Sequence, residues 1–188
     1  MNRRLLLLFA IPFVGLTALD IATTYSSIHH RGFHEINIYT DTSSLGAMVV
    51  PEIVIFAACV AAVMLGAAWK GKELQHHADG GFSQFANSAL RPQTVLGSLL
   101  IVAPIMLAIG RVFPVISNCL LLAVGWSPFD PVLNALAAMF RISKFRANGI
   151  MTGILFVFLV WPVLYLVFAA IRNAKQSDPS DSRQSYRG

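Results

Sequence analysis

"GIMTGILFVFLVWPVLYLVFAAI", Gly149 to Ile171, contains no acidic, basic or histidine residue. Coiled as an α-helix it is roughly 34 Å long, enough to cross a hydrocarbon core about 30 Å thick. A buried helix of a soluble domain normally shows a polar face at this length, and this one shows none. Three further stretches repeat the pattern: Leu5 to Leu19, Ile53 to Trp69 and Thr94 to Gly110 are free of charged residues. Of the 188 residues, 56% are hydrophobic and 12% charged, with a mean hydropathy of +0.65. Soluble domains carry about 25% charged residues, so lipid is the main solvent of this chain.

The runs predict an all-α integral membrane bundle of four transmembrane helices, near 5–27, 46–69, 94–121 and 149–171. A break at Arg111 gives a five-span alternative with two short pieces. The segment 131–146 places Asn134, Ala138, Arg141 and Lys144 near one helical face and Val132, Leu133, Leu136, Met139 and Phe140 around the other. That pattern predicts an amphipathic helix lying in the interface. The spans and this helix form one domain, residues 1–172, and the polar, Ser-rich stretch 173–188 reads as a disordered tail.

The net charge of +5 does not imply nucleic-acid binding, because the basic residues sit at the ends of apolar runs. Arg3, Arg4, Lys70, Lys72, Arg91, Arg172, Lys175, Arg183 and Arg187 fall on one side, nine in all. Arg31, Arg141, Lys144 and Arg146 make four on the other. By the positive-inside rule both termini are expected in the cytoplasm, of a bacterial inner membrane. The N-terminal run lacks a small-x-small cleavage site before Asp20 and is expected to be a retained span. Cys59 and Cys119 lie in apolar runs without CxxC spacing and read as small core residues.

Three ionisable groups interrupt the apolar runs: Asp20, Glu52 and Arg111. Each costs about 2.5–3.5 kcal/mol at the centre of a span, so each calls for protein partners. Their depths match. Asp20 lies roughly 24 Å beyond Arg4, and Arg111 roughly 27 Å beyond Gln93. Glu52 enters from the opposite end, roughly 9 Å beyond Gly46. All three fall in the outer part of the membrane, where two acids and one arginine can pair. Thr17, Asp20, Thr24 and Ser27 share a face of the first span, and Pro104, Arg111 and Asn118 recur at intervals of seven on the third. The group can fix helix packing or bind a ligand; intramembrane charge is compatible with either.

The loop after the first span, "HHRGFHEIN", offers His29, His30, His34 and Glu35. Histidine with carboxylate suits zinc, and His30 and His34 are four apart, yet the stretch is HRGFH and not HExxH, with Gly32 between them. The other reading is a solvated rim at headgroup level. "HHAD", His76 to Asp79, runs into Gly80 and Gly81 and reads as a turn.

Asp20, the Thr23–Thr24 pair, Gly32, Glu35 and Asn37 together resemble a pattern in small uncharacterised bacterial four-helix membrane proteins. There an Asp and two Thr near the end of the first span precede a Gly and Glu-x-Asn-Pro. The match covers about the first forty residues, and Ile38 stands where that pattern has proline. The family has no assigned activity, so the resemblance implies only that Asp20, Thr24, Glu35 and Asn37 belong together.

Three functions follow from these features, in this order. The first is a non-enzymatic accessory or assembly protein, with lipid and other membrane subunits or its own copies as partners. The second is binding or transport of a polar solute, ion or lipid headgroup by Asp20, Thr24, Glu35, Asn37, Glu52, Arg111 and Asn118. The third is an outer-leaflet enzyme with Glu35 or Asp20 as base and His29, His30 or His34 on zinc.

Overall fold

The computed structural model describes residues 2–31 and 43–176. Every regular element among them is helical: α1 (Asn2–Arg31), α2 (Leu45–Asp79), α3 (Phe82–Ala89), α4 (Val95–Gly110), α5 (Val112–Val124), α6 (Phe129–Phe140) and α7 (Lys144–Gln176). Four stretches are long and apolar enough to cross a membrane: α1, α2, α4 with α5, and α7. Their most apolar windows are only 22%, 11%, 39% and 28% buried. Ile11, Val54, Leu65, Val157 and Phe158 are all more than half exposed. In water such surfaces would drive aggregation; in lipid they face their own solvent, and the helices satisfy their backbone groups internally. The chain is an all-α bundle of the membrane class.

The third span is a single run with a loosened turn at Arg111. Pro114 has no N–H to offer the carbonyl of Gly110, and its ring crowds that carbonyl. Arg111 keeps a helical backbone at φ −63°, ψ −14°, and its carbonyl accepts from Val115 N at 3.2 Å. The two halves therefore stay in one span, against the five-span alternative.

Helix ends explain three departures from the sequence expectations. The helix expected over 131–146 stops at Phe140, because Arg141 adopts a left-handed backbone, φ 51°. Ser143 then opens α7: its Oγ accepts from Arg146 N at 3.3 Å and its carbonyl from Ala147 N at 3.0 Å. Lys144 and Arg146 thus belong to the first turns of α7 and not to the interfacial helix. Second, α2 continues through His76, His77 and Asp79, so the turn is confined to Gly80 and Gly81 (φ 100°). Third, α1 continues through His29 as far as Arg31. At the other end α7 reaches Gln176, and residues 177–188 of the expected tail lie outside the described residues.

Contacts divide the chain into two compact units. One comprises residues 1–10, 59–105 and 160–188. Leu5, Phe9, Val63, Leu74, Phe85, Ile101, Val163 and Ile171 form its core. Here α3 lies between the second and third expected spans, where no helix was expected. Its Phe82 meets Trp161, Tyr165 and Phe168 edge-on at 6.3, 5.4 and 5.7 Å, and Phe85 is buried against Phe168. The buried Thr94 hydroxyl donates to the carbonyls of Ser88 and Arg91, tying α3 to the start of α4. In the same unit α2 crosses α4 at a glycine contact. A Cβ on Gly66 would stand 2.8 Å from the Gly97 carbonyl oxygen.

The other unit comprises residues 11–58 and 106–159. Its buried set is more polar: Thr17, Thr24, Ser27 and Ser127 join Phe13, Met48, Val115 and Leu133. Cys119 is exposed on α5, not a core residue as expected, and Cys59 of the first unit is partly covered.

Candidate functional site

The second unit gathers the intramembrane charges. On α1, Thr17, Thr24 and Ser27 are buried to 7%, 7% and 4% exposure, which fixes the inward face on which Asp20 lies. Thr23, one position off that face, donates its hydroxyl back to the carbonyls of Leu19 and Asp20 at 2.8 and 3.1 Å. It satisfies its own helix and takes no part in the site.

Arg111 meets Glu52 in a two-pronged pair, with NH1 donating to Oε1 at 3.2 Å and NH2 to Oε2 at 2.5 Å. Asp20 Oδ2 stands 3.8 Å from NH1, within ion-pair reach but beyond a hydrogen bond. The guanidinium also lies over the ring of Phe13, 4.8 Å from its centre, and Phe13 rests against Phe56. Its Nε is buried with no acceptor among the described residues. Asn118 Nδ2 completes the group, donating to Asp20 Oδ1 at 3.2 Å and Thr24 Oγ1 at 2.8 Å. Asp20 and Arg111 do approach, but the closer partner of Arg111 is Glu52, and Asp20 also accepts from Asn118.

These side chains border a half-enclosed cavity of about 480 Å³. Asp20, Arg111 and Asn118 line it, with Ser117, Ser127, Asp130, Asn148 and Thr152 as further polar groups. Leu107, Phe113, Leu133, Met151, Leu155 and Phe156 supply apolar wall. Ligand pockets commonly fall between about 300 and 1,000 Å³, mostly apolar with a few convergent polar groups. Apart from Asp20 of α1, the wall is built from three helix faces. On α4 and α5, Leu107, Arg111, Pro114, Asn118 and Leu121 recur every three or four positions; on α7, Asn148, Thr152, Leu155 and Leu159 do the same. The third face is on α6, whose first turn holds Asp130, where a carboxylate is favoured by the helix dipole. Before it, Ser127 accepts from Phe129 N at 3.3 Å and shares a 2.7 Å hydrogen bond with Ser117.

Sequence reasoning missed Asp130, Ser117, Ser127, Asn148 and Thr152. The available signal was the polar pair Asn148 and Thr152, one turn apart at the head of an otherwise apolar span. Glu35, Asn37 and His34, and the side chain of His30, lie outside the described residues. His29 stacks on Tyr25 at 4.0 Å and its Nδ1 is 3.1 Å from the Tyr25 carbonyl oxygen. Among the described residues no three His, Cys, Asp or Glu side chains gather as metal ligands. No family model, curated protein or solved structure matches the chain.

Proposed function

We propose that this chain is a non-enzymatic membrane-embedded binding protein, and that the cavity beside Asp20, Arg111 and Asn118 takes a ligand with an apolar part. The cavity is the observation that carries this reading. It has ligand size, apolar walls and polar groups converging at the charge group. The distribution of Lys and Arg supports a bacterial inner-membrane location with both termini cytoplasmic. In that orientation the charge group lies in the outer leaflet.

Photolabelling tests the reading. The full chain in dodecylmaltoside is exposed to a diazirine-bearing dodecanol, a neutral apolar probe, and labelled residues are mapped by mass spectrometry. Saturable labelling of Phe113, Met151 or Phe156, lost in Thr152→Phe and in Asn148→Phe, is expected. Labelling confined to outward residues such as Ile53 and Phe158, and unchanged by those substitutions, would refute it.

A second reading, an accessory or assembly subunit, is favoured by α2, whose most apolar window is only 11% buried. It predicts that Asp20→Asn and Arg111→Gln lower abundance and complex formation together on native electrophoresis of solubilised membranes. A chain that migrates alone in wild-type membranes speaks against it.

A further inference from the structure

The cavity lining is ordered along the membrane normal. A Cβ on Gly110 would stand 3.5 Å from Phe156 and 3.9 Å from Leu159, so these two helices are level there. Leu107, Leu155, Phe156 and Leu159 wall that end of the cavity. Asn118 follows Gly110 by two turns of α5, and Asn148 precedes Phe156 by two turns of α7, each roughly 12 Å away. Ser117, Asn118, Ser127, Asp130, Asn148 and Thr152 gather at this other end. The space is apolar at one end and polar at the other, which is the shape of an amphiphile.

Hydrogen-bonding capacity selects the head. Arg111 spends NH1 and NH2 on Glu52, Asn118 spends its amide N–H groups on Asp20 and Thr24, and Ser117 bonds Ser127. Among the described residues four lining groups have no hydrogen-bond partner: the Asn118 carbonyl oxygen, the Asp130 carboxylate, the Asn148 amide and the Thr152 hydroxyl. The first two accept, and Asn148 and Thr152 both donate and accept. A phosphate head accepts and leaves the Asn118 and Asp130 oxygens unmatched. A primary ammonium donates and leaves the Asn148 N–H groups unmatched, and a trimethylammonium has no N–H to give. Polar groups left unmatched away from water cost more than a made bond contributes. A hydroxyl does both, and two hydroxyls on adjacent carbons reach Asn148 and Thr152, which stand one turn apart on one face of α7. Resting on the binding reading above, we propose that the ligand is a neutral amphiphile with a hydroxylated head, of the monoacylglycerol kind. Its hydroxyls bond Asn148, Thr152 and Asp130, and its acyl tail lies among Leu107, Leu155, Phe156 and Leu159.

The test compares heads on one tail. The full chain is placed in phosphatidylcholine discs, whose heads carry no hydroxyl, and labelled with the diazirine-bearing dodecanol. Dodecanoylglycerol, methyl dodecanoate, dodecyl phosphate and dodecyltrimethylammonium are each added as competitors, and labelling of Phe113, Met151 and Phe156 is read by mass spectrometry. Dodecanoylglycerol should protect at a mole fraction at least about tenfold below the other three, since only its head matches both donors and acceptors. Asn148→Leu and Thr152→Val keep side-chain volume and remove the hydrogen bonds. Each should raise the mole fraction of dodecanoylglycerol needed by about fivefold or more. Glu73→Gln, which pairs with Lys70 in the other unit, should leave protection unchanged. The competitor series on the unaltered chain decides even where a variant fails to fold. A rival that protects as well as dodecanoylglycerol, or protection by none of the four, with labelling still abolished by Thr152→Phe, would overturn the hydroxylated head and leave the binding protein standing. So would dodecanoylglycerol protection indifferent to both Asn148→Leu and Thr152→Val. Absence of labelling at the cavity residues, or labelling untouched by Thr152→Phe and Asn148→Phe, would overturn both.

Discussion

Replacing Arg111 by Gln removes the cation that, among the described residues, stands between Glu52 and Asp20 and leaves the two carboxylates on either side of its place. The cost follows from the geometry. The Arg111 side chain is 13% exposed and each carboxylate 22%, so none is well hydrated. Breaking a buried pair by deleting one partner costs about 3–5 kcal/mol, because an uncompensated charge is left behind. Both carboxylates lose the Arg111 counter-charge here, which argues for the upper part of that range, and their partial exposure argues downward. We expect a loss of about 3–4 kcal/mol for Arg111→Gln. For Glu52→Gln the loss should be about 2 kcal/mol, because Asp20 remains as a counter-charge 3.8 Å away.

A double-mutant cycle separates the two pairings. Hydrogen bonds to charged groups contribute about 1.5–3 kcal/mol, and Arg111 makes two to Glu52 and none to Asp20. The bare Coulomb terms at 2.5 and 3.8 Å differ by less than those bonds do. The Arg111–Glu52 coupling should therefore exceed the Arg111–Asp20 coupling by about 1–2 kcal/mol. Reversible unfolding of the full chain in mixed dodecylmaltoside and dodecyl sulfate micelles, followed by tryptophan emission, measures each corner of both cycles. Equal couplings, or a larger one to Asp20, would refute the assignment of Glu52 as the principal partner.

Other perturbations read the scaffold in the same assay. Gly66→Ala should cost about 1–3 kcal/mol, since its Cβ would meet backbone and side-chain atoms of α4 at 2.8 and 2.9 Å. Gly153→Ala, with open space at the added Cβ, should instead stabilise by up to about 1 kcal/mol through helix propensity; a loss there would contradict the outward placement of that position. Ser143→Ala should cost about 1 kcal/mol and loosen the first turn of α7, visible as faster amide exchange at Arg146. Asn118→Ala removes two hydrogen bonds at Asp20 and Thr24 and should cost about 2 kcal/mol, with Asn118→Leu no better despite its volume.

The spans were legible in the sequence because hydropathy sums over about 20 residues, and no single misjudged residue changes the sum. The loosened turn at Arg111 was half legible. The arginine suggests an interruption, whereas Pro114 explains it three positions later. The eight-residue α3 was not legible, because its stability comes from contacts distant in sequence: Phe82 and Phe85 are anchored by Trp161, Tyr165 and Phe168. The 131–146 pattern misled for a local reason. Its periodicity runs across Arg141 without a break, but Ser143 is an N-cap, and a cap marks a new helix whatever the hydrophobic pattern says.

The site divides along the same line. Matching depth along the membrane normal brought Asp20, Glu52 and Arg111 into one group, because rise per residue is nearly constant in a helix. Depth does not set the rotation of each helix about its axis, and rotation decides which acid receives both prongs of the guanidinium. A turn of about 100° separates adjacent residues, so a modest twist of α1 relative to α2 exchanges the partners without altering any depth. Asn118 holds that twist. By donating to both Asp20 and Thr24, one helical turn apart, it fixes the face of α1 toward α5 and keeps the Asp20 carboxylate beside the cavity. The asymmetry between the two acids follows: Glu52 takes both prongs of Arg111, and Asp20, 3.8 Å from the same guanidinium, accepts from a neutral amide. An isolated structural ion pair would need only one acid. The second acid, positioned by an amide at the edge of a ligand-sized cavity, is the part of the arrangement that packing alone does not require.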